Sequence, residues 1–146
     1  MITDAIDNSF KLAKQNKWDR TFWAVDIHET MLVPDYKRGG NFIEWYPYAK
    51  EALQKMSKRK DIDLILFTCS WPEEIEKYKE KFEEEGIYFK YENENPDVPN
   101  AAYGNYDKKF YFNVLFEDKA GFHPREWEDV IPKLDEYPDG YGLMDI

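Results

Sequence analysis

Residues able to do chemistry gather at the ends of short apolar runs. Asp26 and His28 close the run FWAV, while Thr68, Cys69 and Ser70 close IDLILF. Lys108 and Lys109 stand just before FYFNVLF, and Glu117 and Asp118 end it. The set offers carboxylates, a hydroxyl and a cation, the groups that phosphoryl transfer needs. A carboxylate attacks phosphorus, a hydroxyl donates to one phosphoryl oxygen, and a cation with a metal ion neutralises the others. Bringing Asp26 close to Glu117 and Asp118 would be costly unless a cation sat among them, because like charges repel at short range. Other chemistries have less support. A cysteine phosphatase needs an arginine-bearing phosphate loop after its nucleophile, and Cys69 is followed by Ser70, Trp71, Pro72, Glu73 and Glu74. Cys69 therefore reads as a small buried residue. His28 and His123, with a single cysteine in the chain, do not make a zinc site.

The elements that must position these groups follow from periodicity. Residues 3–17 read as a helix with Ile6, Phe10 and Leu12–Ala13 on its apolar side. Residues 22–27, 62–67, 87–91 and 110–116 read as strands, the third weaker than the others. A helix starts near Pro47, a residue suited to a first turn, and buries Ala49, Ala52, Leu53 and Met56. A further helix opens at Pro72 with Glu73, Glu74 and Glu76 at its positive end, and Gly86 stops it. Residues 28–44 and 92–107 read as loops, 125–136 as a last helix, and the tail YPDGYGLMDI as loosely held. The aromatics Trp45, Tyr46 and Tyr48 at a helix start are read as packing rather than as a stacking platform. Alternation of strand and helix predicts an α/β fold with a mainly parallel sheet covered on both faces. Ligands of such sheets bind at the carboxyl ends of the strands, where the residues above lie.

Composition sets the bounds. The chain has 146 residues, which predicts a single domain, residues 1–146, with residues 1–20 as an N-terminal helical extension and 123–146 as a C-terminal helix and tail. Its formal net charge is −10, so an extended nucleic-acid surface is not expected. A small phosphorylated ligand is compatible with that charge, since a metal and a few cations reverse the field in one pocket. The first residues, MITDAIDNSFKLAKQNK, lack the apolar core of a signal peptide, and no apolar run reaches the ~20 residues of a membrane span. With one cysteine, these features predict a cytoplasmic protein.

The motifs also carry a resemblance. FWAVDIHET resembles the first motif of the haloacid dehalogenase (HAD) superfamily, an apolar strand followed by D-x-D-x-T. LILFTCS resembles its second motif, and KFYFNVLFEDKAGF its third and fourth. ENENPDVPN and PYAKEAL are similar to segments of small bacterial and phage members. Together these cover about residues 22–122, in the family's order. The resemblance implies a Rossmann-like three-layer sandwich and a Mg²⁺-dependent phosphatase. It implies that Asp26 is the nucleophile, that the His28 carbonyl, Asp26, Glu117 and Asp118 hold Mg²⁺, that Thr68 binds a phosphate oxygen, and that Lys109 steadies phosphate and nucleophile. Two positions depart from the pattern. His28 stands where the family has its acid/base Asp, and Glu117 stands where Asp is usual. No long insertion follows the first or third strand, so the expected form is capless, with residues 29–44 and 92–107 over an open site. Such a site suits a larger substrate or closure by a second subunit of a homo-oligomer. The expected substrate is a small phosphorylated compound, nucleotides included. The alternative expectation is a HAD scaffold of weak or no turnover, binding a phosphorylated ligand or a protein.

Overall fold

The computed structural model describes residues 1–34 and 43–145. Four helices and four strands alternate through most of it: α1 (Ile2–Asn16), β1 (Thr21–Val25), α2 (Ala49–Ser57), β2 (Ile62–Leu66), α3 (Pro72–Glu84), β3 (Tyr91–Glu92), β4 (Val114–Phe116) and α4 (Trp127–Asp135). The strands form one parallel sheet in the order β3-β2-β1-β4. β1 is central and all five of its residues are buried, as an unbroken apolar strand requires. The result is a Rossmann-like α/β fold.

Side-chain alternation along the strands divides the core. Trp23, Val25, Leu64, Leu66, Val114 and Phe116 face one side, where the apolar stripes of all four helices meet them in one cluster. Phe22 and Ile65 face the other side, packed with Val98, Tyr106, Phe110 and Tyr111. The third layer is thus the loop between β3 and β4 rather than a second layer of helices. α1 is no appendage to this core. Ile6 and Phe10 are buried in the main cluster, and Phe10 stacks on Tyr137 with ring centroids 4.2 Å apart.

Three local expectations are corrected. The third strand is only Tyr91–Glu92, because Ile87 and Phe89 are buried in irregular backbone before it. The fourth is Val114–Phe116: Phe110 and Tyr111 are drawn onto the second face of the sheet, and Asn113 joins β1 by donating its N–H to the Phe22 carbonyl (2.7 Å) while its side-chain oxygen accepts from the Phe22 N–H (2.8 Å). The tail is fastened rather than loose. The Asp139 carboxylate accepts from the Lys60 and Asp61 N–H groups (3.0 and 3.1 Å), and the Arg59 guanidinium donates to the carbonyls of Leu134, Tyr137 and Pro138. Buried Gly142 lies against the Trp18 carbonyl so closely that a Cβ there would collide with it. Among the described residues, no helix is long and apolar enough to cross a membrane.

Candidate active site

Register places the site. Val25 is level with Leu66 on one side and Phe116 on the other, so the chain emerges from three adjacent strands together at Asp26, Phe67 and Glu117. The ladder runs one step further on each side: the Asp26 N–H donates to the Phe116 carbonyl and the Phe67 N–H to the Val25 carbonyl, both at 2.9 Å. Asp26 and Glu117 therefore stand side by side on neighbouring parallel strands. Glu117, Asp118 and the turn after them are closed by N–H bonds from Ala120 and Phe122 to the Glu117 carbonyl (3.0 and 3.1 Å).

Carboxylate oxygens of Asp26, Glu117 and Asp118 all lie within 4.8 Å of one another, and all three side chains are partly buried. Burial is the largest influence on Asp26 and disfavours its charge; the Ile27 N–H (2.8 Å) opposes this, and the charges of Glu117 and Asp118 add to it. The Asp26 pKa is pushed up to about 6. Asp118 moves the other way. Burial raises it, but hydrogen bonds with the Glu117 and Glu29 side chains and the nearby Lys119 charge outweigh burial, and it sits below the ordinary carboxylate range. Hydrogen bonds among carboxyl groups need a shared proton, and a hard divalent cation can take the proton's place.

The loop after β1 is a tight turn. Its Ile27 carbonyl accepts from the N–H groups of Met31 and Leu32 (2.9 and 3.0 Å), and Glu29 adopts a left-handed φ of 60°. Trp127, wholly buried on α4, props this loop. It stacks on Phe116 (centroids 5.1 Å, planes 6° apart) and donates its indole N–H to the Thr30 carbonyl (2.7 Å). One side chain thus braces the strand that delivers Glu117 and the loop that follows Asp26.

The remaining expected residues are distributed as follows. His28 is half-buried, and its Nε2 lies 2.9 Å from the Tyr78 hydroxyl on α3, with the two rings edge to face. Thr68 stands at the carboxyl end of β2, where its hydroxyl donates to the Ser70 hydroxyl (3.0 Å) and accepts from the Ser70 N–H (3.1 Å). Lys109 and Lys108 are exposed and line a cavity of ≈510 Å³ with Asn93, Asn95 and Phe110. Cys69 is exposed rather than buried, because it lies beyond the end of β2 and not within it.

Three residues here were missed in the sequence. Glu29 joins the carboxylates, and Lys119 is the cation whose charge lowers both Asp26 and Asp118. Asn93 clamps Thr68 through two bonds, accepting from its N–H (2.9 Å) and donating to its carbonyl (2.7 Å). Asn93 and Asn95, both in the segment ENENPDVPN, act as braces. Asn95 is buried and donates to the Tyr111 carbonyl (3.0 Å), which ties the third layer to the end of β3. Trp45 packs against Phe82 as expected, with centroids 5.5 Å apart.

No family model and no curated protein matches the chain. A solved structure of a conserved protein from Bacteroides thetaiotaomicron is similar, with a TM-score of 0.61 and 24% identity, covering 80% of this chain and 91% of that one. This likeness establishes a shared fold.

Proposed function

We propose that the protein is a divalent-cation-dependent phosphomonoester hydrolase of the HAD type. The observation that carries this reading is the convergence of Asp26, Glu117 and Asp118 at the carboxyl end of the central parallel strand, their oxygens within 4.8 Å of one another. The donor set is all carboxylate oxygen, which suits Mg²⁺ rather than a thiophilic metal, and the penalty that burial first, and the Glu117 and Asp118 charges after it, place on an ionised Asp26 is one that a cation would relieve. Asp26, Glu117 and Asp118 would hold the ion, whose contribution is to neutralise phosphoryl oxygens and keep Asp26 ionised.

The Asp26 carboxylate attacks phosphorus. The P–O bond to the leaving alcohol breaks, and an aspartyl-phosphate forms. The Ser70 hydroxyl, which accepts from Thr68, keeps its own proton for a phosphoryl oxygen, the Thr68 hydroxyl can rotate from Ser70 to donate to another, and Asn93 fixes the Thr68 backbone. His28 supplies the proton to the leaving oxygen and takes one from the water that then hydrolyses the acyl phosphate. The direct test is release of phosphate from a generic phosphomonoester with and without Mg²⁺. Asp26→Asn should reduce the Mg²⁺-dependent rate by more than about 10³-fold. An unchanged rate in that variant removes the nucleophile and with it the reading.

One observation favours a second reading, a scaffold that binds a phosphorylated ligand without efficient turnover. The His28 Nε2 is already engaged by the Tyr78 hydroxyl on α3. Binding of inorganic phosphate or a phosphomonoester with no hydrolysis, in both the natural protein and His28→Asp, would select it.

A further inference from the structure

A cavity of ≈530 Å³ has Glu29, Tyr46, Tyr48, His123, Arg125 and Glu128 in its walls. Two of these residues are tied by the backbone to the carboxylate cluster. Glu29 lines the cavity and lies in the tight turn that directly follows Asp26. His123 directly follows the turn folded back onto the Glu117 carbonyl by the Phe122 N–H. The volume lies in the range, roughly 300–1,000 Å³, that encloses small organic ligands.

The walls have a definite chemistry. Tyr48 holds a left-handed φ of 68° at the start of α2, a conformation unfavourable to a bulky side chain, yet it remains 48% exposed. Core packing therefore does not explain where its ring stands. Glu29, also left-handed, shares the same cavity. The exposed Tyr48 ring offers a face on which a flat ring can stack, while Tyr46 is packed against the core. Glu29 and Glu128 accept hydrogen bonds from amino groups, and Arg125 presents a planar fork of donors to ring nitrogens or carbonyls. His123 is held in place by its own turn: its Nδ1 accepts from the Arg125 N–H (3.1 Å), and its N–H donates to buried Glu126 (2.8 Å). An aliphatic leaving group would use none of the aromatic surface. A second anionic group would meet two carboxylates.

From these walls we infer that the cavity takes the planar, amino-bearing ring of a phosphomonoester, as in a nucleoside monophosphate, while the phosphate reaches Asp26. The inference rests on the hydrolase reading above, and its test separates the two. With Mg²⁺ present, kcat/KM is measured for adenosine and cytidine monophosphates and for glycerol phosphate. The natural protein, Tyr48→Gly and Arg125→Ala are compared, and each variant is checked by thermal melting. Glycine suits the left-handed backbone, so Tyr48→Gly removes the ring without adding strain. Equilibrium binding of the same nucleotides to Asp26→Asn, with and without Tyr48→Gly, gives a readout independent of turnover.

The expected result is a preference for a nucleotide of at least about tenfold, and a fall in that ratio of about tenfold in Tyr48→Gly, carried mainly by KM. Equal use of all three substrates, with the ratio unmoved in both variants, overturns the cavity assignment and leaves the hydrolase reading standing. Nucleotide binding that Tyr48→Gly abolishes, in a protein that hydrolyses nothing, upholds the cavity and overturns the hydrolase. Neither binding nor hydrolysis overturns both.

Discussion

Asp26 carries opposing demands. Its carboxylate must be ionised to attack phosphorus or to hold a cation, yet burial and its acidic neighbours push its pKa up to about 6. A proton and Mg²⁺ compete for the same oxygens, so Mg²⁺ affinity measured by calorimetry should be steady above pH 7 and fall as pH drops through 6, up to about tenfold per unit. In the metal-free protein the sign is reversed. Because the folded pKa exceeds the ordinary 3.8, the native state holds this proton more tightly, and the associated stability is present below 3.8 and lost as pH rises through about 6. Added Mg²⁺ should offset that loss. His28 is the second residue of consequence. His28→Asp should raise turnover of a generic phosphomonoester, and His28→Ala should lower it. Tyr78→Phe removes the hydroxyl 2.9 Å from Nε2 and should shift the pH–rate profile. Full activity in His28→Ala would end the acid/base role.

Between elements, the site depends on how helices brace loops. Trp127 links α4 to the loop after β1 through its indole N–H and to β4 through its ring. Trp127→Phe retains most of the stacking and loses the bond to the Thr30 carbonyl. It should cost about 1–2 kcal/mol of stability in denaturant titration. It should also lower kcat more than it changes KM for a generic phosphomonoester, because the loop carrying His28 loosens. An unchanged kcat would confine Trp127 to the core. α1 and α4 are joined at Asp7, which accepts from the Tyr137 hydroxyl (2.6 Å) and from Lys133 (3.1 Å). The Tyr137 bond foremost, against a burial penalty and with help from Lys133, holds the Asp7 pKa below 3.8. Its stabilisation is therefore present above pH 3.8 and lost as pH falls through the folded value. Asp7→Asn should lower stability by about 1 kcal/mol at pH 7, and by less near pH 3.

For the molecule as a whole, the acidic balance and the carboxylate cluster act together. A chain of net charge −10 gathers divalent cations loosely over its surface, but only a defined site yields saturation. Mg²⁺ that binds the folded state alone adds ~2.7 kcal/mol at a hundred times its Kd, which for a chain of this length raises Tm by roughly 8 °C. The shift should saturate and should be largely absent in Asp118→Asn, whereas diffuse screening would give a gradual rise in both proteins.

The fold was legible where one physical signal dominated. The buried run of β1, the apolar stripes of α1 and α2, and Pro72 with its acidic first turn all appear close to where periodicity puts them. The strand boundaries near β3 and β4 were not legible, because Phe89, Phe110 and Tyr111 are as apolar as strand residues. Only competition between the two faces of the sheet decided that they pack outside it. Of the candidate site, Asp26, Glu117 and Asp118 could be named from the chain, since each follows an apolar run whose parallel pairing puts its end at one edge. Neither the partners nor the directions of these groups were legible in the chain. Asn93 reaches Thr68 from 25 positions away, Trp127 reaches Thr30 from 97, and His28 turns to a hydroxyl on α3. Local pattern determines which residues arrive at the edge of a sheet. Long-range packing alone decides which of them touch, because those contacts join segments that no periodicity connects.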